Sequence, residues 1–183
     1  MVNTSAVYKD TPDYCHYYFD LIESENLLEE LVKSQQITLE LFQLITPENE
    51  NFAYQPEKWT IKEVLRHIVE CERVYTYRAF RFSRFDETHL SGFDENIYIE
   101  NGKMMNQSLS DLKDEYQQVR KASVSLFKNM TNEMLDFKGT ANNSSFTARA
   151  LGFLTVGHNL HHCNIIKSKY LKVSPEETRY NTN

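Results

Sequence analysis

The stretch Gly157-His-Asn-Leu-His-His162 constrains this chain more than any other, because it packs three of the six histidines into consecutive turns of one segment. Residues four apart lie one above the other on a helix, so His158 and His162 aim their imidazoles at one point. His161 is rotated away by one helical step, about 100°. Leu151, Leu154, Ile165 and Lys169 continue the line of the pair, which places it in a mostly apolar stripe facing a core. Two buried imidazoles repel if both are protonated and leave ring nitrogens unpaired if neither finds a partner. A divalent cation between them resolves both problems. A pair is only half of a metal site, and one hydrogen-bonded core histidine beside an exposed one is the competing reading. The third donor must come from another helix.

The rest of the chain supplies helices. Five glycines and four prolines punctuate 183 residues, too little turn chemistry for a many-stranded fold, so the class is all-α. Thr11-Pro12-Asp13 opens a short helix to Leu21, and a longer one runs from about Asn26 to Leu44. Phe52 to Trp59 reads as an extended approach. Thr60-Ile61-Lys62-Glu63 is a capping box, so a helix begins there and continues to about Phe85. Ser108 starts another, to about Met130, and Thr131 to Leu135 adds a turn. Gly139 to Ser145 reads as a polar loop, after which the last helix opens near Thr147. Asp86 to Gln107 is irregular, and a connection of that length forms a lid or an interaction surface. These elements make a four-helix bundle with an extra short N-terminal helix and a long loop between the second and third long helices. One domain, residues 1–183, is the size expectation, with an ordered core of about 11–172 and loose ends before Asp10 and from Val173.

His67, two turns into the helix that Thr60 starts, supplies what the pair lacks. Alone it reads as a packed aromatic ring; with His158 and His162 it gives three imidazoles at one end of the bundle core. Three histidines with a vacant position is the arrangement of a catalytic zinc-type site, whereas structural sites close with four protein ligands. The expected cofactor is one divalent metal ion per chain, zinc or nickel first, although iron(II) and manganese also fit. Glu72, on the same helix as His67, is a candidate for orienting an imidazole or relaying a proton, against a plain salt-bridging role. Cys71, four residues after His67, is either a soft ligand or a small buried hydrophobe. His89, Asp94 and Glu95 are further ligand or acid/base candidates, or solvated loop residues. Trp59 and Tyr75 line a pocket or pack a core, and Arg78 binds an anionic substrate or neutralises helix charge.

Charge and composition exclude other classes. Twenty Lys and Arg against 26 Asp and Glu give a net charge of −6, and no basic run could follow a phosphate backbone, so nucleic acid is not an expected partner. With no apolar stretch of spanning length and no basic-then-apolar leader, a membrane is not expected either, and the cytoplasm is the expected compartment. Cys15, Cys71 and Cys163, widely spaced, read as free thiols.

Four motifs stand in order. They are Lys58-Trp-Thr-Ile-Lys-Glu-Val-Leu-Arg-His67, Glu72-Arg-Val-Tyr-Thr-Tyr-Arg78, Gly139-Thr-Ala-Asn142 and Gly157-His-Asn-Leu-His-His162. Together they resemble the DinB-like (DinB/YfiT-type) superfamily of metal-dependent enzymes, over about Tyr14 to Leu171. The resemblance implies a four-helix bundle, often a homodimer, and a divalent metal held by three histidines at positions matching His67, His158 and His162. It also implies a small-molecule substrate, since characterised members include transferases using low-molecular-weight thiols and a maleylpyruvate isomerase. Hydrolase and thiol-transferase chemistry are therefore the expected activities, with a non-catalytic metal-binding stress-response or interaction bundle as the alternative. Many members continue the last motif with Arg-Gly-Gln, where this chain has Cys163-Asn164-Ile165.

Overall fold

The computed structural model describes residues 5–9 and 11–173. In chain order come α1 (Ser5–Lys9), a 3-10 turn (Asp13–Cys15), α2 (His16–Phe19), α3 (Leu27–Gln43), α4 (Ile61–Phe82), α5 (Glu95–Gly102), α6 (Leu109–Lys128) and α7 (Asn132–Asp136). Then follow β1 (Lys138–Ala141), β2 (Ser144–Thr147) and α8 (Ala148–Ile165), which continues into a π-helical turn (Ile166–Tyr170). The long helices α3, α4, α6 and α8 form a four-helix bundle. Among the described residues no helix is long and apolar enough to cross a membrane.

Each long helix starts where its sequence supplies an acceptor for the first free N–H groups. Thr60 Oγ1 accepts from Glu63 N at 3.2 Å, and Glu63 Oε2 accepts from Thr60 N at 2.7 Å. Ser108 and Asp111 repeat this reciprocal box on α6, with 3.1 Å in both directions. Asn26 caps α3, and Thr147 caps α8 through Ala150 N at 3.0 Å.

Helix α8 is the axis. Every residue from Ala150 to Asn159 is buried, so the expected stripe is in fact a helix apolar nearly all round, enclosed by α3, α4, α2 and shorter elements. Small residues permit this enclosure. A Cβ added at Gly157 would lie 2.2 Å from the Tyr18 carbonyl oxygen, so backbone meets backbone there. Gly157→Ala should cost about 1–3 kcal/mol through overpacking, despite the better helix propensity of alanine. Thermal unfolding of the variant measures this, and an unchanged melting temperature would show that α2 shifts without penalty.

Two apolar clusters fill the bundle. One gathers around Phe19, Leu31, Phe82, Phe127, Leu151 and Leu154, the other around Leu41, Leu65, Ile68, Leu112, Cys163 and Ile166. The helices also bury a hydrogen-bonded polar network. Arg120 and Glu72 pair through Nε and Nη2, both at 2.8 Å, with both side chains fully buried. Arg120 Nη1 also donates to the Leu31 carbonyl and to Ser34 Oγ, while Ser123 Oγ donates to Glu72 Oε1 at 2.7 Å. Asn159 is held by Tyr116 and Thr38, whose hydroxyl also meets Cys163 Sγ at 3.3 Å.

Four details depart from the sequence reading. Ser5–Lys9, expected to be loose, is helical and buries Val7; the remainder of that terminus and the tail beyond Val173 lie outside the described residues. The expected polar loop 139–145 is a β-hairpin turning at Asn142 and Asn143, whose φ of 49° and 58° suit the two-residue turn that matches strand twist. The irregular connection contains α5 and also pairs Leu90 with the hairpin, N to Thr140 O and O to Asn142 N, both at 2.9 Å. On α6, where apolar Ala122 is expected on the core face, Ala122 is exposed, and Arg120 and Ser123 take the inward positions.

Candidate metal centre

Helix α8 carries His158 and His162 one turn apart, and α4, packed along it, brings His67 against them. His67 Nε2 lies 3.0 Å from His158 Nε2, and His162 Nε2 lies 3.1 Å from the same atom. The ring centroids are 4.8, 4.8 and 4.5 Å apart. A neutral imidazole nitrogen either gives one N–H or offers one in-plane lone pair, so His158 Nε2 satisfies only one of its two neighbours. One close nitrogen contact is thus always left without its proton. A shared cation removes that conflict, because nitrogens bonded at about 2.0–2.1 Å to one tetrahedral ion lie about 3.3 Å apart. The donor set therefore fits a divalent metal.

Burial keeps these rings neutral. It lowers the pKa of His67 to about 4 and of His162 to about 2, with neighbouring imidazoles adding to the effect, and pushes His158 well below the usual histidine value. Their lone pairs are thus available to a cation at neutral pH. Trp59 packs on His67 with ring centroids 4.8 Å apart, and Tyr18 and Tyr75 each stand 5.7 Å from His158.

Cys71 borders the group. Its Sγ is 3.5 Å from His67 Nδ1, and one ligand atom each from His67, Cys71 and His158 fall within 4.8 Å of one another. Burial pushes its thiol up to about 12, so it is protonated, and the imidazoles are the donors that need no ionisation.

The sequence candidates separate in space. Glu72 faces into the polar network, its carboxylate oxygens taken up by Arg120 and Ser123, and among the described residues no hydrogen bond joins it to an imidazole. Asp94 caps α5, accepting from Asn96 N at 2.9 Å and Ile97 N at 3.3 Å, and is not placed as a ligand. His89 is exposed and lines a neighbouring cleft; Glu95 reaches the histidine cleft. His161 turns away, its Nδ1 3.3 Å from the Tyr17 hydroxyl. Cys163 is a core residue with no exposure. Arg120 was missed because an arginine in an amphipathic helix reads as surface; its spacing from Tyr116 and Ser123 was the available signal.

The three rings form part of the wall of a cleft of about 400 Å³, otherwise bordered by Tyr14, Tyr18, Trp59, Tyr75, Phe93, Arg78 and Glu95 among others. The family model described as the DinB superfamily matches residues 30–166, most of the chain and all three histidines. The chain belongs to the DinB superfamily. No curated protein matches it. Among solved structures, this DinB-superfamily chain is similar to YfiT from Bacillus subtilis, described as a probable metal-dependent hydrolase with an unusual four-helix bundle topology. The TM-score is 0.68 at 18% identity, over 86% of this chain and 90% of that one. A DinB-like protein, YjoA, also from Bacillus subtilis, matches with a TM-score of 0.60 at 16% identity, over 81% and 91% of the two chains.

Proposed function

We propose that this chain is a divalent-metal-dependent enzyme acting on a small molecule, with His67, His158 and His162 as the metal ligands and hydrolysis as the leading reaction. The observation that carries this reading is the convergence of three neutral Nε2 atoms on the wall of an aromatic cleft, a donor set with room for substrate beside it. When bound, a divalent ion supplies Lewis acidity, lowering the pKa of water or of a thiol and polarising an electrophile. The protein's own share is positional. Trp59, Tyr18 and Tyr75 hold the rings and shield them from bulk water, and the aromatic walls take up the apolar part of a substrate. Water as acceptor gives hydrolysis, which the description of YfiT favours; a low-molecular-weight thiol gives S-transfer. Zinc or nickel is the proposed ion, with iron(II) and manganese next.

Protein purified without a histidine tag should carry about one equivalent of divalent metal, and His158→Ala should strip it. Elemental analysis measures both, and native protein with no metal affinity would end the proposal. Cys71 favours one other reading, because a fourth protein donor would close the site and make the metal structural. Chelation separates the two. A structural metal leaves a much lower melting temperature on removal, whereas a catalytic one leaves a folded chain without activity.

A further inference from the structure

Arg78 is 6% exposed, yet among the described residues no carboxylate lies within ion-pair distance of it. Its Nη2 donates to the Ser91 carbonyl at 2.9 Å, and its guanidinium sits over the Phe93 ring, 5.5 Å from the centroid. These contacts fix the group in place and leave its charge uncompensated. The contrast with Arg120 is informative, since that buried guanidinium has both prongs filled by Glu72. A buried cation without a counter-ion is costly unless an anion arrives from solution. Arg78 lines the histidine cleft together with Trp59, Tyr14, Tyr18 and Phe93, and it also borders the adjoining cleft of about 500 Å³ that holds His89 and Tyr98. Glu95, the acid on the histidine cleft, is exposed, so water screens it far more than it screens Arg78.

We propose that Arg78 is the anion-recognition residue of this cleft and that the substrate class is small molecules carrying a carboxylate beside an aromatic or other flat apolar group. This rests on the reading of the cleft as a substrate site and deepens it. The guanidinium fork takes the carboxylate in paired, charge-assisted hydrogen bonds, and the aromatic walls take the apolar part. That pairing turns the substrate's remaining end toward the histidines, which share the same cleft.

The test uses benzoate as probe and benzamide as its uncharged counterpart, titrated into full-length protein by calorimetry or amide chemical shifts, both metal-loaded and chelated. In chelated protein, benzoate should bind about tenfold or more tighter than benzamide. Arg78→Gln should abolish that preference, and Arg78→Lys should retain part of it. Equal affinity for the two probes in chelated wild type would overturn the proposal without any variant having to fold. So would a benzoate preference that survives Arg78→Gln in a folded variant, or one that appears only in metal-loaded protein, which would place the carboxylate on the ion. Metal content is read separately in the same samples, so loss of metal binding speaks against the metalloenzyme reading and leaves this result standing.

Discussion

Glu72→Ala should destabilise the fold by about 3–5 kcal/mol, the cost of breaking a buried ion pair from one side. The loss is large because Arg120, fully buried, remains charged and loses both of the oxygens that hold its Nε and Nη2. Its remaining contacts, to the Leu31 carbonyl and Ser34, offer no negative charge. Replacing Glu72 and Arg120 together by methionine should recover most of the loss, since two apolar side chains leave no stranded ion, although Ser34, Ser123 and the Leu31 carbonyl each lose a partner. Urea unfolding of the single and double variants measures this, and a cost below about 1 kcal/mol for Glu72→Ala would refute it. The same variants decide whether Glu72 serves the metal centre. A residue orienting a ligand typically costs about 10–100-fold in metal affinity when removed. With its carboxylate turned to Arg120, Glu72→Ala should leave metal affinity in the folded protein nearly unchanged.

Acid should unfold the metal-free chain through the histidine cluster. In the unfolded chain these imidazoles take up a proton near pH 6.5, whereas burial holds the folded pKa of His67 at about 4. Between those values the unfolded state binds more protons, so stability falls as pH falls through that window. His67 alone gives a loss of roughly 3 kcal/mol from pH 6.5 down to 4, at about 1.4 kcal/mol per pH unit. His158 and His162 are shifted in the same direction and steepen the decline. Above pH 6.5 the cluster contributes no slope. Urea midpoints of chelated protein between pH 7.5 and about 4.5 should show this pattern, and His67→Gln should flatten it. Stability independent of pH across that range would mean the rings are hydrated and not buried as described.

The donor constellation was legible because it depends on spacing alone: a step of four residues from His158 to His162, and a capping box that fixes the phase of the helix bearing His67. The bundle was legible for the same reason, through apolar positions such as Ile61, Val64, Leu65 and Ile68 on one face. What escaped was set by partners distant in sequence. Arg120 reads as solvent-facing until Glu72 on another helix is placed against it. Asp94 is the local exception, reading as a ligand although it caps the short helix that follows by accepting from Asn96 N and Ile97 N. The hairpin did carry a local sign, since adjacent asparagines tolerate positive φ, but four-residue strands are too short for an alternating pattern to announce them.

The enclosure of α8 reaches beyond packing. Backbone amides in so sheltered a segment exchange with solvent only when much of the bundle comes apart, so His158 and His162 ride on what should be the slowest-exchanging part of the molecule. Tyr14 and Glu95, by contrast, stand on short peripheral elements, and Phe93 on the connection leading into α5. A framework divided in this way lets the outer walls be rewritten for a new ligand while the inner donors keep their positions, which is a route to varied chemistry from one architecture.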